Sequence, residues 1–86
     1  MKLNVKAVAI ALGLVWGVLV IFSISIVSLV WPGYGEDFLW LVASIYPGVE
    51  VGTVSGLILG TLYGLADGAV VGVVYAWIYN RVVSIA

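Results

Sequence analysis

The stretch from residue 51 to residue 80, VGTVSGLILGTLYGLADGAVVGVVYAWIYN, decides the fold. It carries a single charged residue, Asp67. It is also longer than the ~20 residues that an α-helix needs to cross the hydrocarbon core of a bilayer. Its small residues recur at every fourth position, at Gly52, Gly56, Gly60, Gly64, Gly68, Gly72 and Ala76. We therefore predict a membrane-spanning helix over residues 51–80 with a row of small residues along it.

The row of small residues predicts close contact between helices. Without side chains in the way, a second helix can approach the backbone, in the crossing typical of small-xxx-small contacts. Gly13 and Gly17 form a shorter match in the first apolar segment. Because a row of spacing four rotates around the helix, one straight partner can follow only two or three glycines. We expect the remainder to face a second neighbour, so that hairpins assemble into a ring or cluster.

The segments before this helix complete the predicted fold. Residues 7–31 contain no charge and are too long for a cleavable signal sequence, so they predict a retained first span. Residues 36–46 are too short to span and predict a helix lying flat in the membrane interface. The predicted class is an all-α membrane protein. It is a two-transmembrane-helix hairpin with a short interfacial helix between the spans, and it forms one unit over residues 1–86.

The charged residues predict the orientation of this hairpin. All the cations lie outside the two spans, near the chain ends: Lys2, Lys6 and Arg81. The connection from residue 32 to residue 50 has no cation and carries three acids, Glu36, Asp37 and Glu50. The positive-inside rule then predicts a multi-pass protein of the cytoplasmic (inner) membrane with both termini in the cytoplasm.

Aromatic residues cluster where the spans are predicted to end. Tryptophan and tyrosine favour the headgroup region of a bilayer, so we interpret these residues as interface anchors. The anchors at the connection are Trp31, Tyr34, Trp40 and Tyr46, and those at the opposite end are Tyr75, Trp77 and Tyr79.

Asp67 is the candidate functional residue within the spans. A carboxyl group at mid-span costs roughly 2.5–3.5 kcal/mol on insertion scales, so it should face protein or water. In an antiparallel hairpin its depth matches that of Trp16, whose indole N–H could donate to it, and Tyr63 is a second candidate donor. Three interpretations stay open: Asp67 binds a proton or cation, it lines an aqueous lesion in an oligomer, or it is a polar staple that fixes helix register.

Composition excludes several kinds of function. Only 8% of the residues are charged, against roughly 25% in soluble domains. The net charge of −1 leaves no basic patch for nucleic acid. The absence of cysteine and histidine excludes disulfides, thiol chemistry, zinc sites and histidine catalysis. With no phosphate loop, metal cluster or nucleophile–base pair, we expect neither an enzyme nor a bound cofactor or metal.

Three parts of the chain resemble small bacterial two-helix membrane proteins identified as bacteriophage holins. They are the opening residues 2–7 (KLNVKA), residues 44–48 (SIYPG), and the region of Gly64, Asp67, Gly68 and Gly72 that continues into residues 76–80 (AWIYN). The resemblance implies a self-associating protein of the cytoplasmic membrane. A true holin would open lesions through which a cell-wall hydrolase escapes.

These observations predict a holin-like membrane protein that forms homo-oligomers through a glycine zipper on its second helix. One alternative is a structural or accessory subunit of a larger membrane complex. A further alternative is a proton- or ion-binding oligomer that uses Asp67. The expected partners are the lipid bilayer and further copies of the chain, and nucleic acid is not among them.

Overall fold

The computed structural model describes residues 2–85. Over this range the chain forms three helices and no strands: α1 is Val5–Val30, α2 is Glu36–Ile45 and α3 is Val54–Ile85. Both α1 and α3 are long and apolar enough to cross a membrane. The predicted helical class and the two candidate spans are confirmed.

Side chains cap the first turns of both long helices. The Asn4 side chain accepts a hydrogen bond from the Ala7 amide at 3.0 Å, and Thr53 Oγ1 accepts one from the Gly56 amide at 2.9 Å. These bonds satisfy amides that would otherwise lack a partner within the helix. Since α3 begins at Val54, Gly52 lies before the helix, with a φ of 77°. The prediction that Gly52 is the first member of the helical row was wrong.

The two long helices pack antiparallel, and their backbones are in contact. The facing positions are Ala9 with Gly72, Gly13 with Gly68, Gly17 with Gly64, and Ile21 with Gly60. A Cβ atom added at Gly64 would lie 2.8 Å from the Gly17 Cα, and one added at Gly68 would lie 2.5 Å from the Leu12 carbonyl oxygen. These distances are too short for any side chain, so only glycine fits at these positions.

The whole helical part of the small-residue row is buried within the chain. Its members are Gly56, Gly60, Gly64, Gly68, Gly72 and Ala76. α1 contacts the row from Gly60 to Gly72, so the expectation that one partner follows only two or three glycines was wrong. The expectation assumed a straight α-helical partner, whereas the middle of α1 is π-helical over Val15–Phe22. The row is therefore covered within the chain, by α1 from Gly60 to Gly72 and by the connection at Gly56, and is not a free surface.

The middle of α1 has an unusual helical form. Residues Val15–Phe22 form a π-helix, in which the backbone bonds join residues five apart. An α-helix has 3.6 residues per turn, so positions four apart drift in one direction, and the wider π turns drift in the other. The drift partly cancels, which keeps Gly13, Gly17, Ile21 and Ser25 on the buried side of one helix.

The short helix α2 folds back along α1. The Gly35 backbone that precedes it lies against the Ile24 side chain, and Val42 packs in a buried cluster with Ile21. After Pro47, the chain turns at Gly48, whose φ of 86° favours glycine, and Gly48 lies near Leu59 of α3. Residues 49–53 then return to the start of α3. The connection between the long helices is thus packed against both of them.

The backbone contact at Gly68 predicts a large effect of a small substitution. Gly68→Val should lower the free energy of unfolding by about 1–3 kcal/mol or more, because the new side chain overlaps the α1 backbone. Unfolding of the purified protein in mixed micelles with rising SDS measures this change. Ala66→Val is the matched control, since Ala66 is exposed and lies two residues away. Equal effects of both variants would contradict the packing described for Gly68.

Candidate functional site

A chain of two hydrogen bonds joins the three helical segments of the molecule. The Trp16 indole Nε1–H of α1 donates to the Tyr46 hydroxyl at 2.8 Å. The Tyr46 hydroxyl in turn donates to Asp67 Oδ2 of α3 at 2.5 Å. Tyr46 directly follows α2, so this residue fastens the end of α2 to both long helices. We refer to Trp16, Tyr46 and Asp67 as the polar cluster.

The polar cluster lies far from the ends of the long helices. At a rise of 1.5 Å per residue, Asp67 is about 20 Å from the first residue of α3. Trp16 is about 20 Å from the last residue of α1. Each polar group of the cluster is therefore placed where a spanning helix would be surrounded by hydrocarbon, and hydrogen bonds there replace those that water would supply.

Aromatic rings enclose Tyr46. The Tyr63 ring stacks on the Tyr46 ring, with centroids 5.0 Å apart and planes within 10° of parallel. The Phe38 ring meets the Trp16 ring edge-on at 6.0 Å. The Tyr63 hydroxyl donates to the Pro47 carbonyl oxygen at 2.9 Å, which fixes the turn after α2. These contacts hold the Tyr46 hydroxyl between its two partners.

The partners of Asp67 differ from the predicted ones. The sequence suggested that Trp16 or Tyr63 donates directly to the carboxyl group, whereas Trp16 donates to Tyr46 and Tyr63 to Pro47. Tyr46 was predicted to be an interface anchor, but it is only 7% exposed and lies between Trp16 and Asp67. That prediction was wrong because the preference of tyrosine for the headgroup region gives no information on how far α2 folds back along the spans.

The protonation of Tyr46 favours its role as a donor. Burial raises the pKa of the Tyr46 hydroxyl, and the hydrogen bond to Asp67 raises it further, although the bond from Trp16 acts in the opposite direction. The hydroxyl therefore keeps its proton at physiological pH and presents it to the Asp67 carboxyl group.

One side of Asp67 is open. Asp67 is an exposed residue that lines a groove of about 250 Å³ on the outside of the helix pair. We call this surface the Asp67 groove, and it is lined by Leu12, Val15, Trp16, Asp67, Gly68 and Val71. Among the hydrogen bonds of residues 2–85, the carboxyl group accepts one, from Tyr46. Asp67 thus combines an internal bond at Oδ2 with an outward face in apolar surroundings.

The remaining predicted residues lie outside the polar cluster. Large aromatic side chains are exposed near both ends of the molecule, at Trp31, Tyr34, Trp40, Tyr75, Trp77 and Tyr79. Lys2, Lys6 and Arg81 are also exposed. Within residues 2–85, no group of three acidic side chains comes together in a way that could hold a metal ion.

Sequence reasoning missed one residue, Asn80. Its side-chain amide clamps the N-terminal segment, because Oδ1 accepts from the Leu3 amide at 2.7 Å and Nδ2 donates to the Leu3 carbonyl oxygen at 3.0 Å. An asparagine among apolar residues near the end of α3 is the signal that could have identified it. Only the antiparallel pairing of α1 with α3 shows which backbone it binds.

No protein-family model matches the chain, and no curated protein or solved structure is significantly similar to it. The resemblance to holin-like proteins therefore stays a prediction.

The polar cluster predicts the effect of removing one oxygen atom. Tyr46→Phe leaves Trp16 and Asp67 without their shared partner, so the end of α2 should loosen by about 1–3 kcal/mol. Amide exchange in Glu36–Ile45 should then be roughly 5- to 150-fold faster, as measured by hydrogen–deuterium exchange and mass spectrometry.

Tyr75→Phe is the control for this experiment. It removes the same oxygen atom from an exposed tyrosine of α3. Unchanged exchange in Glu36–Ile45 for Tyr46→Phe, or an equal change for Tyr75→Phe, would show that the cluster does not hold α2 in place.

Proposed function

We propose that this chain is a two-span protein of the cytoplasmic membrane that self-associates through the Asp67 groove. The antiparallel packing of two apolar helices supports a transmembrane hairpin, and the cations near the chain ends support cytoplasmic termini. In this arrangement α2 enters the membrane from the side of the connection and turns back at Pro47–Gly48. The class of protein is the holin-like one that the sequence predicts, with a different surface of association.

The single observation that carries the proposal is the outward face of Asp67. A carboxyl group exposed to acyl chains at mid-span costs roughly 2.5–3.5 kcal/mol on insertion scales, and more when it is isolated. Tyr46 satisfies only Oδ2. A protein surface that covers the Asp67 groove and supplies a further hydrogen bond removes this cost, so contact at the groove is favoured over exposure to lipid.

A second copy of the chain is the occupant that fits the groove. Two copies related by an axis along the membrane normal place their Asp67 residues at the same depth, so the two carboxyl groups can meet. Lys6 of α1 and Arg81 of α3 lie near the chain ends, far from this depth. The Asp67 carboxyl group of the second copy is therefore the polar partner that meets the first one there. Two carboxyl groups in contact can share a proton. Leu12, Val15 and Val71 supply an apolar rim around the pair.

The glycine row supports this assignment indirectly. Because the row is already buried within the chain, small-residue contacts stabilise the hairpin itself and are not available to a neighbour. Outside the Asp67 groove, the exposed residues of the two spans are mainly bulky and apolar, as is suited to lipid. A membrane lesion opened by the assembly is implied only by the holin resemblance.

Native mass spectrometry of the protein released from mild detergent tests the proposal. The wild-type protein should give a homo-oligomer. Asp67→Leu should lower the ratio of oligomer to monomer about tenfold or more, which corresponds to a loss of about 1.4 kcal/mol of association free energy. Val70→Leu, at an exposed position on the same helix, should leave the population unchanged. Tyr46→Phe should also keep the oligomer, because it breaks the internal bond and leaves the outward face of Asp67 in place.

A monomeric wild-type protein would contradict self-association and would favour the accessory-subunit alternative. An oligomer that survives Asp67→Leu would place the contact elsewhere. Helix content from circular dichroism should be equal in all variants, so that loss of the oligomer is not loss of the fold.

Labelling of single cysteines tests the proposed topology. The chain has no native cysteine, so one can be introduced at a time. In intact spheroplasts, a membrane-impermeant maleimide should label Asp37→Cys in the connection and should leave Ser84→Cys unlabelled until the cells are opened. The reverse pattern would invert the hairpin.

A further inference from the structure

A second groove lies at the end of the molecule where both ends of the chain meet. It has a volume of about 350 Å³, and its lining includes Lys2, Val5, Trp77, Asn80, Arg81 and Ile85. Two of the three cations of the chain are among these residues. None of the described residues that line it is acidic. We call this surface the basic groove.

The fold brings these two cations together from opposite ends of the sequence. The Asn80 amide holds the Leu3 backbone with two hydrogen bonds, of 2.7 Å and 3.0 Å. This clamp places Lys2, the neighbour of Leu3, beside the last turns of α3 that carry Arg81. A polar contact between separate segments thus holds the two positive charges near each other. This contact opposes the electrostatic repulsion between them.

The side chain of Arg81 is oriented by an aromatic ring. Its guanidinium carbon lies 5.9 Å from the centroid of the Trp77 ring, a cation–π distance. The ring holds the guanidinium group through its charge, and the N–H donors of the group can still bind an anion. The groove therefore offers a planar set of donors from Arg81 and an ammonium group from Lys2.

We propose that the basic groove binds the phosphate of an anionic phospholipid headgroup. An arginine and a lysine together can bind the oxygen atoms of a phosphate group. Basic pockets at the ends of membrane helices are a typical place for such headgroups. Val5 and Ile85 add apolar surface at the rim, along which acyl chains can lie. A lipid rather than a free phosphate is the source favoured by this rim. This inference rests on the membrane location in the proposed function and is independent of the oligomeric state.

Native mass spectrometry with defined lipids tests the inference on the full chain. The protein is exchanged into micelles doped with phosphatidylglycerol or with phosphatidylcholine of the same acyl chains, and the retained lipids are counted. Phosphatidylglycerol should be retained preferentially. Each of Arg81→Gln and Lys2→Gln should weaken its retention about fivefold, the value for about 1 kcal/mol per cation.

Lys6→Gln is the matched control. It removes the same charge from the same end of the molecule, but Lys6 does not line the groove, so retention should be unchanged. Asn80→Ala should weaken retention without removing any charge, because it releases the segment that carries Lys2. An equal loss for Lys6→Gln would overturn the inference, since net charge alone would then explain binding.

A parallel titration with inorganic phosphate distinguishes the two sources of the anion. Phosphate binding that depends on Arg81, together with no preference for phosphatidylglycerol, would overturn the lipid assignment. The same spectra report subunit number, so the two proposals can fail separately. Asp67→Leu should change the oligomer and leave lipid retention intact, whereas Arg81→Gln should do the reverse.

Discussion

Between Gly64 and Gly72, the backbone of α3 lies directly against the backbone of α1. In lipid, two helices gain little from burying apolar side chains against each other, because the acyl chains are equally apolar. Close backbone contact provides dispersion energy that lipid cannot match, and glycine is the residue that permits it. The position of every other feature follows from this contact. It sets the register that brings Trp16 level with Asp67 and Leu3 level with Asn80.

The polar cluster solves a problem that this contact creates. With the row of small residues covered by α1, Asp67 is placed at the edge of the helix pair rather than within it. The fold brings in a third element, α2, and Tyr46 directly after it reaches the carboxyl group. Tyr46 is itself held by Trp16 and Tyr63. The hydrogen bond at Oδ2 makes Asp67 a polar staple within the chain. The exposed face of the same residue is the surface that the proposed association would cover. The two interpretations apply to different sides of one side chain.

The sequence predicts the helical class and the two candidate spans because both depend on local properties, namely length, hydropathy and the positions of proline and glycine. It does not reveal what covers the glycine row, since a small-residue spacing looks the same whether the partner is in the same chain or in another. The π-helical segment at Val15–Phe22, which helps α1 to follow the row, has no recognisable sequence signal. The sequence likewise does not show that Tyr46 is buried or that Asn80 binds the Leu3 backbone. Both act through contacts between distant segments, and a reading of local pattern alone cannot find them.

Solid-state NMR on the wild-type protein in lipid bilayers tests most directly whether the glycine row is covered within the chain. The chain has 11 glycines, so ¹³Cα-glycine labelling gives few signals, and Gly17 and Gly64 should show a strong through-space correlation. Diluting labelled protein into a large excess of unlabelled protein separates contacts within one chain from contacts between chains. The structure predicts that the Gly17–Gly64 correlation keeps its full intensity per labelled molecule on dilution. Loss of the correlation on dilution would place the row between chains and would contradict the packing of α1 on α3 within one hairpin.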